Sequence, residues 1–280
     1  MRPTLEIFGL VLPSWHLFYV IGSIFAFYLL LAINKLNNDY MSRAFLARLF
    51  VVIYISGYFG ARGLSLFAVQ DIESGFFGYI KQLFTLGPMT LLGGVVCSII
   101  FGFLYAFFSK LRQKGSIRYL FDIGVPSFLI GLSFGRIGCY LNGDDYGLPI
   151  LGVGPENAPW WSMSFPNLND HVHQIYRYPT QLAEAFFAAT LACILVSIWQ
   201  RVAYKYGVGL IGSVGLLGYS VFRFFIEMYR GDHRGWVVHN LISTSQFISI
   251  IIFCVAMFFL VKFYLQYLDH NEKIKTIKNS

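Results

Sequence analysis

Long apolar segments alternate with short polar segments along the whole chain. Seven of the apolar segments approach or exceed the roughly 20 residues that an α-helix needs to cross a bilayer. The polar segments between them are rich in charged residues, asparagine or glycine. The pattern therefore predicts an all-α integral membrane protein with seven transmembrane helices. The predicted spans are 15–33, 46–69, 83–108, 119–140, 181–200, 207–229 and 242–267.

The sequence shows no repeat of fixed period and no low-complexity linker, so we expect a single transmembrane domain over residues 1–280. The first residues contain Glu6 and Pro13 and do not fit a cleavable signal peptide, which needs an uninterrupted apolar core. We expect them to form a short arm on the membrane surface. The longest connection between spans is 141–180, and residues 268–280 form a basic tail.

The composition supports a membrane protein over a soluble one. Hydrophobic residues make up 56% of the chain and charged residues only 12%, whereas a soluble domain carries roughly 25% charged residues. A very apolar soluble protein is the alternative, but this chain has too few polar side chains to cover a globule in water.

The positive charges predict the orientation in the membrane. Most of the 21 lysines and arginines fall in alternate connections on one side of the predicted helices. The positive-inside rule places that side in the cytoplasm. The N-terminus is then outside, the 141–180 loop is on the outer (periplasmic) side, and the 268–280 tail is cytoplasmic. Because these charges are scattered over separate short segments, we expect a topological signal and no nucleic-acid partner.

The four cysteines do not indicate a metal site or a redox motif. They are single residues in or beside predicted spans, without a CxxC pair or the spacing of metal ligands. We therefore expect no metal and no cofactor.

Apart from Arg48 at the cytoplasmic start of the second span, three arginines fall inside predicted spans, and all three belong to the outer part of the membrane. They are Arg62, Arg136 and Arg223. An arginine at the bilayer centre costs about 2.5–3.5 kcal/mol on insertion scales, so such residues are candidates for a functional site. Glu184 opens the fifth predicted span on the same side.

The sixth predicted span carries a regular series of polar residues. Tyr219, Arg223, Glu227 and Arg230 follow one another at spacings of four, four and three, which places them on one face of a helix. Arg223 and Glu227 are expected to pair structurally in the simplest interpretation. However, in the outer part of the membrane the three in-span arginines outnumber the two in-span carboxylates, Glu184 and Glu227. A guanidinium donates two parallel hydrogen bonds to a phosphate. A phospholipid headgroup is the anion that we expect.

Five segments resemble one known family, in the same order along the chain. They are "FGARG" (59–63), "GRIGCYLNGDDYG" (135–147), "YPTQLAEA" (178–185), "GYSVFRFFIEMYRGD" (218–232) and "STSQFISI" (243–250). Together they resemble the motifs of prolipoprotein diacylglyceryl transferase, a multi-pass enzyme of the bacterial inner membrane. The resemblance implies seven spans with the N-terminus outside, in agreement with the charge pattern.

The resemblance also implies an activity and its partners. The family transfers diacylglycerol from phosphatidylglycerol to the lipobox cysteine thiol in the signal peptide of a preprolipoprotein, and it releases glycerol 1-phosphate. The expected partners are therefore phosphatidylglycerol, preprolipoprotein signal peptides and membrane lipids.

By the same resemblance, Arg136 and Arg223 would hold the phosphate and stabilise the leaving group. The other implied site residues shape the headgroup pocket (Asn142, Asp144, Gly147), organise the site (Arg62, Tyr219, Glu227) or line its outer entrance (Gln181, Glu184). Gly93 and Gly94 match the glycines of a third-span motif, and Tyr19 lies near the position of a first-span tyrosine of the family.

The chain departs from the family at the residue proposed to activate the thiol. The family has His-Gly-Gly in the third span, whereas Leu92 precedes Gly93 and Gly94 here. His16 is our candidate for the replacement base, because it aligns near a first-span tyrosine of the family. The remaining candidates are histidines of the outer connections: His171, His173, His233 and His239.

Two further functions stay open from the sequence. A divergent paralogue would bind a phospholipid headgroup and modify another acceptor or none, as the missing histidine suggests. A transporter or channel would need a polar path through the inner half of the membrane, where Asp122 is the main polar residue. A serine lipase would need a G-x-S-x-G motif, which the sequence lacks.

Overall fold

The fold is described from a computed structural model. It describes residues 4–7, 10–69, 76–85, 87, 89–109, 116–232, 235–238 and 241–279. The helices are α1 (Ser14–Leu36), α2 (Arg43–Val69), α3 (Phe76–Leu83), α4 (Leu91–Phe108), α5 (Ser116–Asn142), α6 (Asp170–His173), α7 (Thr180–Tyr206), α8 (Leu210–Ile226) and α9 (Thr244–Asn279). The strands are β1 (Thr4–Ile7), β2 (Leu10–Pro13), β3 (Trp236–Val238) and β4 (Ile242–Ser243). Short 3₁₀ turns cover Pro166–Leu168 and Glu227–Tyr229.

Six of the described helices are long and apolar enough to cross a membrane, so the chain is a multi-pass, mostly helical membrane protein. They match six of the seven predicted spans. The predicted span 83–108 differs, because its helix begins only at Leu91 and α3 precedes it as a separate element. Gly87 and Pro88 lie between the two in sequence, and proline disfavours a helix both at its own position and at the residue before it.

The N-terminal arm is a β-hairpin. Strands β1 and β2 pair antiparallel, with Thr4 opposite Pro13 and Ile7 opposite Leu10. The hairpin leads directly into α1, which begins at Ser14. The sequence predicted an arm here but not its strands.

The described residues divide into two compact units. The first unit contains Met1–Ile33 and Arg118–Ser280, and the second contains Asn34–Ile117. In the first unit, α7, α8 and α9 pack in chain order, and the ring of Tyr119 on α5 contacts Trp199 edge to face at 6.0 Å. Both rings are buried.

Glycines allow α8 to lie close to its neighbours in the first unit. A Cβ added at Gly212 would come within 2.5 Å of the Phe121 ring, and one added at Gly215 would come within 2.7 Å of Val125. The residue before α8, Gly209, has a φ of +113°, a backbone conformation that glycine adopts without steric cost. The carboxylate of Asp122 on α5 accepts hydrogen bonds from the backbone N–H groups of Gly209 (2.5 Å) and Gly212 (2.7 Å).

The loop between α5 and α7 is folded back on itself by backbone hydrogen bonds. Met163 and Arg177 exchange two such bonds, at 3.1 and 2.7 Å. The N–H of Ile150 donates to the carbonyl of Tyr176 at 2.7 Å. These bonds pair the first part and the middle of the loop with the segment just before α7.

In the second unit, α2 and α4 pack as an antiparallel pair. Gly93 lies against Gly60, Ser98 against Gly57, and Gly102 against Ile53. The hydroxyl of Ser98 also donates to the carbonyl of Ile53 at 3.0 Å. Small residues at such contacts let two membrane helices approach closely.

Candidate active site: an ion-pair cluster

Three arginines and four carboxylates of the first unit form one connected ion-pair cluster. The arginines come from α5 and from α8 and the segment that follows it. The carboxylates come from the turn after α5, from α7 and from the segment that follows α8. The members of the cluster are Arg136, Asp145, Glu184, Arg223, Glu227, Arg230 and Asp232.

Glu184 joins the two arginines that the sequence singled out. Its Oε2 lies 3.0 Å from Nε of Arg136 and 2.9 Å from Nη1 of Arg223. Its Oε1 accepts a hydrogen bond from the hydroxyl of Tyr219 at 2.7 Å. The side chain of Glu184 is only 3% exposed. One buried carboxylate therefore holds the guanidinium groups of α5 and α8 at the same place.

Asp145 joins Arg136 to a third arginine. Its Oδ2 lies 2.5 Å from Nη1 of Arg136, and its Oδ1 pairs with Nη2 of Arg230. Arg230 also pairs with Asp232, whose Oδ2 lies 2.6 Å from the same Nη2 and whose Oδ1 accepts a hydrogen bond from Nε at 2.9 Å. Asp145 is thus shared between two guanidinium groups in the same way as Glu184.

Glu227 closes the cluster against the start of α9. Its Oε2 lies 2.9 Å from Nη2 of Arg223, and the hydroxyl of Ser243 donates to its Oε1 at 3.0 Å. Nη2 of Arg223 also donates to the hydroxyl of Ser245 at 3.2 Å. Tyr219, Arg223 and Glu227 therefore meet as their spacing predicted. Arg230 also reaches the cluster, although α8 ends at Ile226 and a 3₁₀ turn follows.

The expected excess of positive charge is not found in this cluster. Its three arginines face four carboxylates, because Asp145 and Asp232 lie outside the spans and were left out of the comparison of in-span charges. Each of the three guanidinium groups is paired with at least two carboxylates. An incoming anion must therefore replace a carboxylate rather than fill a place between unpaired cations.

The electrostatics at the outer edge of the cluster stabilise its charged state. Burial by itself would raise the pKa of Asp145, but the guanidinium groups of Arg136 and Arg230 outweigh burial and lower the pKa to about 2. Burial would lower the pKa of Arg230, yet its hydrogen bonds with Asp232 and the charge of Asp145 raise the pKa above its usual value. Both groups are therefore ionised at neutral pH.

The turn after α5 is fixed by the first residues of α7. Nε2 of Gln181 donates to the backbone carbonyl of Asp144 at 2.6 Å, and the hydroxyl of Thr180 donates to that of Asp145 at 3.0 Å. Asp144 itself is exposed, and its carboxylate accepts a hydrogen bond from Nδ2 of Asn142. Among the described contacts, Asp145 rather than Asp144 reaches the arginines.

Gly147 lies where three backbone segments meet. It forms a bridge with Arg230, and its carbonyl accepts a hydrogen bond from Nη1 of Arg177 at 3.4 Å. A Cβ at this position would collide with the carbonyl of Tyr178. Arg177 is in turn held by both oxygens of the buried Asp170, at 2.7 and 3.1 Å. Gly147 thus allows the loop to close over the end of the bundle.

The first turn of α1 lies beside the arginine-bearing end of α5. A Cβ added at Gly138 would lie 3.2 Å from Cα of Trp15, so the two helices are in close contact there. His16 follows Trp15, and its ring contacts the Trp15 ring edge to face at 5.1 Å. The ring of Tyr19 stacks on the Trp15 ring, with 5.7 Å between the ring centroids. The predicted site residues His16 and Tyr19 therefore lie on α1, which contacts α5 at Gly138, two residues after Arg136.

The remaining predicted site residues belong to the second unit, and their described contacts are with other residues of that unit. Nε of Arg62 donates to the carbonyl of Gln82 at 3.1 Å, and Nη2 donates to the hydroxyl of Thr85 at 3.2 Å. Gly93 and Gly94 pack against α2, and a Cβ at Gly94 would lie 3.1 Å from the carbonyl of Gly57. Leu92, which replaces the family histidine, is exposed.

The other histidine candidates differ in what the structure describes. His171 and His173 are exposed in α6. His233 and His239 lie outside the described residues. Within the part of the chain that is described, no group of three or more histidine, cysteine, aspartate or glutamate side chains is arranged to hold a metal ion.

Four residues of the cluster and its surroundings were not predicted from the sequence: Asp145, Asp232, Ser243 and Ser245. Only the first left a usable signal, because two adjacent aspartates follow the Arg-Ile-Gly run and either of them could face inward. The backbone conformation decides which of the two aspartates faces the arginines, since Asp145 has a φ of +58°.

Comparisons with known proteins agree with the sequence motifs. The sequence model of the family described as prolipoprotein diacylglyceryl transferase matches residues 3–262. A protein of Clostridium tetani named phosphatidylglycerol–prolipoprotein diacylglyceryl transferase is 31% identical over 268 residues, which cover 92% of this chain and 96% of that protein. A protein of Ehrlichia canis with the same name is 30% identical over 254 residues, which cover 88% and 90%.

Proposed function

The chain belongs to the prolipoprotein diacylglyceryl transferase family, and from this we propose that it transfers the diacylglyceryl group of phosphatidylglycerol to a lipobox cysteine. The acceptor is the thiol in the signal peptide of a preprolipoprotein, and the second product is glycerol 1-phosphate. The observation that carries the proposal is the meeting of Arg136 and Arg223 on one carboxylate oxygen of Glu184.

The proposed reaction builds up negative charge where the arginines lie. The thiolate sulfur forms a bond to the diacylglyceryl carbon while the bond from that carbon to the phosphate oxygen breaks. A phosphodiester with one negative charge becomes a phosphomonoester that can carry two. Guanidinium groups already held in place stabilise this added charge without reorganisation, and such electrostatic stabilisation is often the largest contribution to catalysis.

The thiol must also lose its proton, and we propose His16 as the base. An unperturbed thiol has a pKa of about 8.5, so only a small fraction is ionised at neutral pH. Support comes from the contact between α1 and α5 at Gly138, which brings the first turn of α1 to the end of α5 that carries Arg136. Tyr19 would shape the same part of the site.

Polar groups around the cluster suit the glycerol headgroup of the donor. Gln181 is almost fully buried, and its Oε1 has no hydrogen-bond partner among the described residues. A buried amide oxygen without a donor is costly, and a hydroxyl of the glycerol headgroup would satisfy it. Asn142, Asp144 and Gly147 would complete this pocket. Arg62, Gly93 and Gly94 are proposed site residues on the family resemblance alone.

We also propose the finer topology that the charges predict. Helix α4, with the residues before it, would form a seventh span, and the whole chain would act as one transmembrane domain of the bacterial inner membrane. The N-terminus and the 141–180 loop would face the periplasm, and the basic 268–280 tail would face the cytoplasm.

Genetic complementation tests the proposed function. A bacterium whose own transferase is under conditional control should grow on depletion when it expresses this chain, and it should accumulate lipid-modified lipoproteins. The matched control is Arg223→Gln, which keeps the size and polarity of the side chain but removes its charge. Failure of the wild-type chain to rescue, despite membrane insertion equal to that of the native enzyme, would favour the divergent paralogue.

A further inference from the structure

We propose that the carboxylate of Asp145 occupies the place of the lipid phosphate while no substrate is bound. When phosphatidylglycerol binds, its phosphate displaces this carboxylate from the arginines. Asp145 is then a positioning residue that competes with the donor for Arg136 and Arg230. The inference rests on the proposed function, and it explains how an anion enters a cluster in which each arginine is already paired.

The geometry of Asp145 is that of an anion held by two separate cations. Its two carboxylate oxygens each pair with a different guanidinium group, Oδ2 with Arg136 and Oδ1 with Arg230. Arginine forms the same paired hydrogen bonds with carboxylates and with phosphates. Two oxygens of a phosphodiester can therefore replace the two oxygens of Asp145 with no change in the donors.

Asp145 is also the carboxylate of the cluster that an incoming ligand reaches most easily. Its side chain is 28% exposed, whereas that of Glu184 is 3% exposed and that of Glu227 is 1% exposed. The deeper carboxylates can then keep Arg223 in place while the outer one is exchanged.

The exchange conserves charge at the binding step. A carboxylate and a phosphodiester each carry one negative charge, so replacing one with the other leaves the net charge around Arg136 and Arg230 unchanged. Arg230 keeps its pair with Asp232 throughout. Only the later bond cleavage adds a charge, which the same arginines then stabilise.

Two aspartates with a left-handed backbone offer a matched pair of variants. Asparagine tolerates the left-handed backbone better than most residues, so Asp145→Asn removes the charge at a φ of +58° without backbone strain. Asp39→Asn is the matched control, because Asp39 also has a positive φ, of +49°, and pairs with an arginine, Arg43, that is not part of the cluster.

Steady-state kinetics with purified protein, phosphatidylglycerol micelles and a lipobox peptide test the inference. Asp145→Asn should lower the KM for phosphatidylglycerol by about fivefold or more, because the competing state is removed, and glycerol 1-phosphate should become a stronger inhibitor. Asp39→Asn should leave the KM unchanged. A structural role alone would lower kcat or stability, but it would not improve affinity.

An unchanged or higher KM for Asp145→Asn, with an active wild type, would overturn the inference and leave the proposed function intact. An inactive wild type would instead count against the proposed function. If Asp145→Asn does not fold, Asp145→Gly, which also accepts the left-handed backbone, is measured in the same way.

Chemical labelling of the wild-type protein gives a test that needs no variant. A water-soluble carbodiimide should modify Asp145 faster when phosphatidylglycerol is added, as read by mass spectrometry, because the carboxylate is displaced from its arginines. Equal or slower modification would contradict the proposed exchange.

Discussion

Helix α8 carries buried charge at both of its ends, and the two ends are built in opposite ways. At the N-terminal end, the carboxylate of Asp122 accepts hydrogen bonds from the backbone N–H groups of Gly209 and Gly212. At the C-terminal end, Arg223 pairs with Glu184 and Glu227, both through side chains. The first arrangement is a fixed cap on a helix terminus, and the second is a network between side chains.

The difference shows how a buried charge can serve structure or ligand binding. The backbone donors at Gly209 and Gly212 would be left unsatisfied inside the bundle if Asp122 moved away, so that carboxylate is committed to the fold. A guanidinium that touches two carboxylates can exchange one of them for another anion and remain paired. Only the C-terminal end therefore has the properties of a phosphate site.

Arg136→Ala should have the largest effect on activity. Removing the guanidinium takes away the donor that joins Glu184 to Asp145, and the loss of one such charge-stabilising group costs about 100- to 1000-fold in rate. Diacylglyceryl transfer to a lipobox peptide is the measurement, and membrane insertion with a normal melting profile is the control. Retained activity would make the arginine structural.

His16→Ala should have the next largest effect. General base catalysis contributes about 100-fold or more, and the loss should shrink at alkaline pH, where the acceptor thiol ionises without help. The rate of transfer is measured between neutral pH and about pH 9, above the thiol pKa. A loss that stays the same across this range would exclude His16 as the base.

Asp122→Ala should lower the stability of the protein and leave the rate of transfer nearly unchanged, in contrast to the two variants above. Leaving buried N–H groups unsatisfied costs about 1–3 kcal/mol, and thermal unfolding in detergent reports this loss. Asp122→Asn keeps one acceptor oxygen and should lose less. The activity per folded molecule should stay near the wild-type value, because Gly212 and Arg223 are about 16 Å apart along the helix. A large fall in kcat would show that the two ends are coupled.

Lowering the pH should have the smallest effect, a loss of stability that is confined to the acid range. The pKa of Asp145 is lowered from 3.8 to about 2 by Arg136 and Arg230, with Arg223 adding to the effect and Glu184 close by. A carboxylate with a lowered pKa contributes stability above its unfolded pKa and loses it as the pH falls through about 2. The contribution is on the order of 2 kcal/mol.

Melting curves between pH 5 and pH 2 should therefore show an acid-induced loss of stability in the wild type that is smaller in Asp145→Asn. Asp144→Asn serves as the control and should follow the wild type. Identical curves for the wild type and Asp145→Asn would argue against the ion pairs of Asp145.

The spans were predictable from the length of the apolar segments, and the central polar residues were predictable from their helical spacing. Six predicted spans match described helices, and the spacing of Tyr219, Arg223 and Glu227 brought all three to the cluster. Residues outside the helices were not predictable in this way. Asp145 reaches two arginines only because its turn takes a left-handed backbone and is held by Thr180.

Charge balance was wrong in the sequence analysis for the same reason. Counting only residues within spans left out Asp145 and Asp232, which fold back over the end of the bundle from the segments after α5 and after α8. The interruption between α3 and α4 was also missed, because the apolar pattern continues across Gly87 and Pro88. Both errors arise where the chain leaves a regular helix.

The decisive test of the proposed transferase activity is the release of glycerol 1-phosphate by the purified protein, measured with phosphatidylglycerol and a lipobox peptide. One molecule should be released for each peptide that gains a diacylglyceryl group, and none when the lipobox cysteine is replaced with serine. A folded, detergent-stable protein that releases no glycerol 1-phosphate under these conditions would contradict the proposed activity.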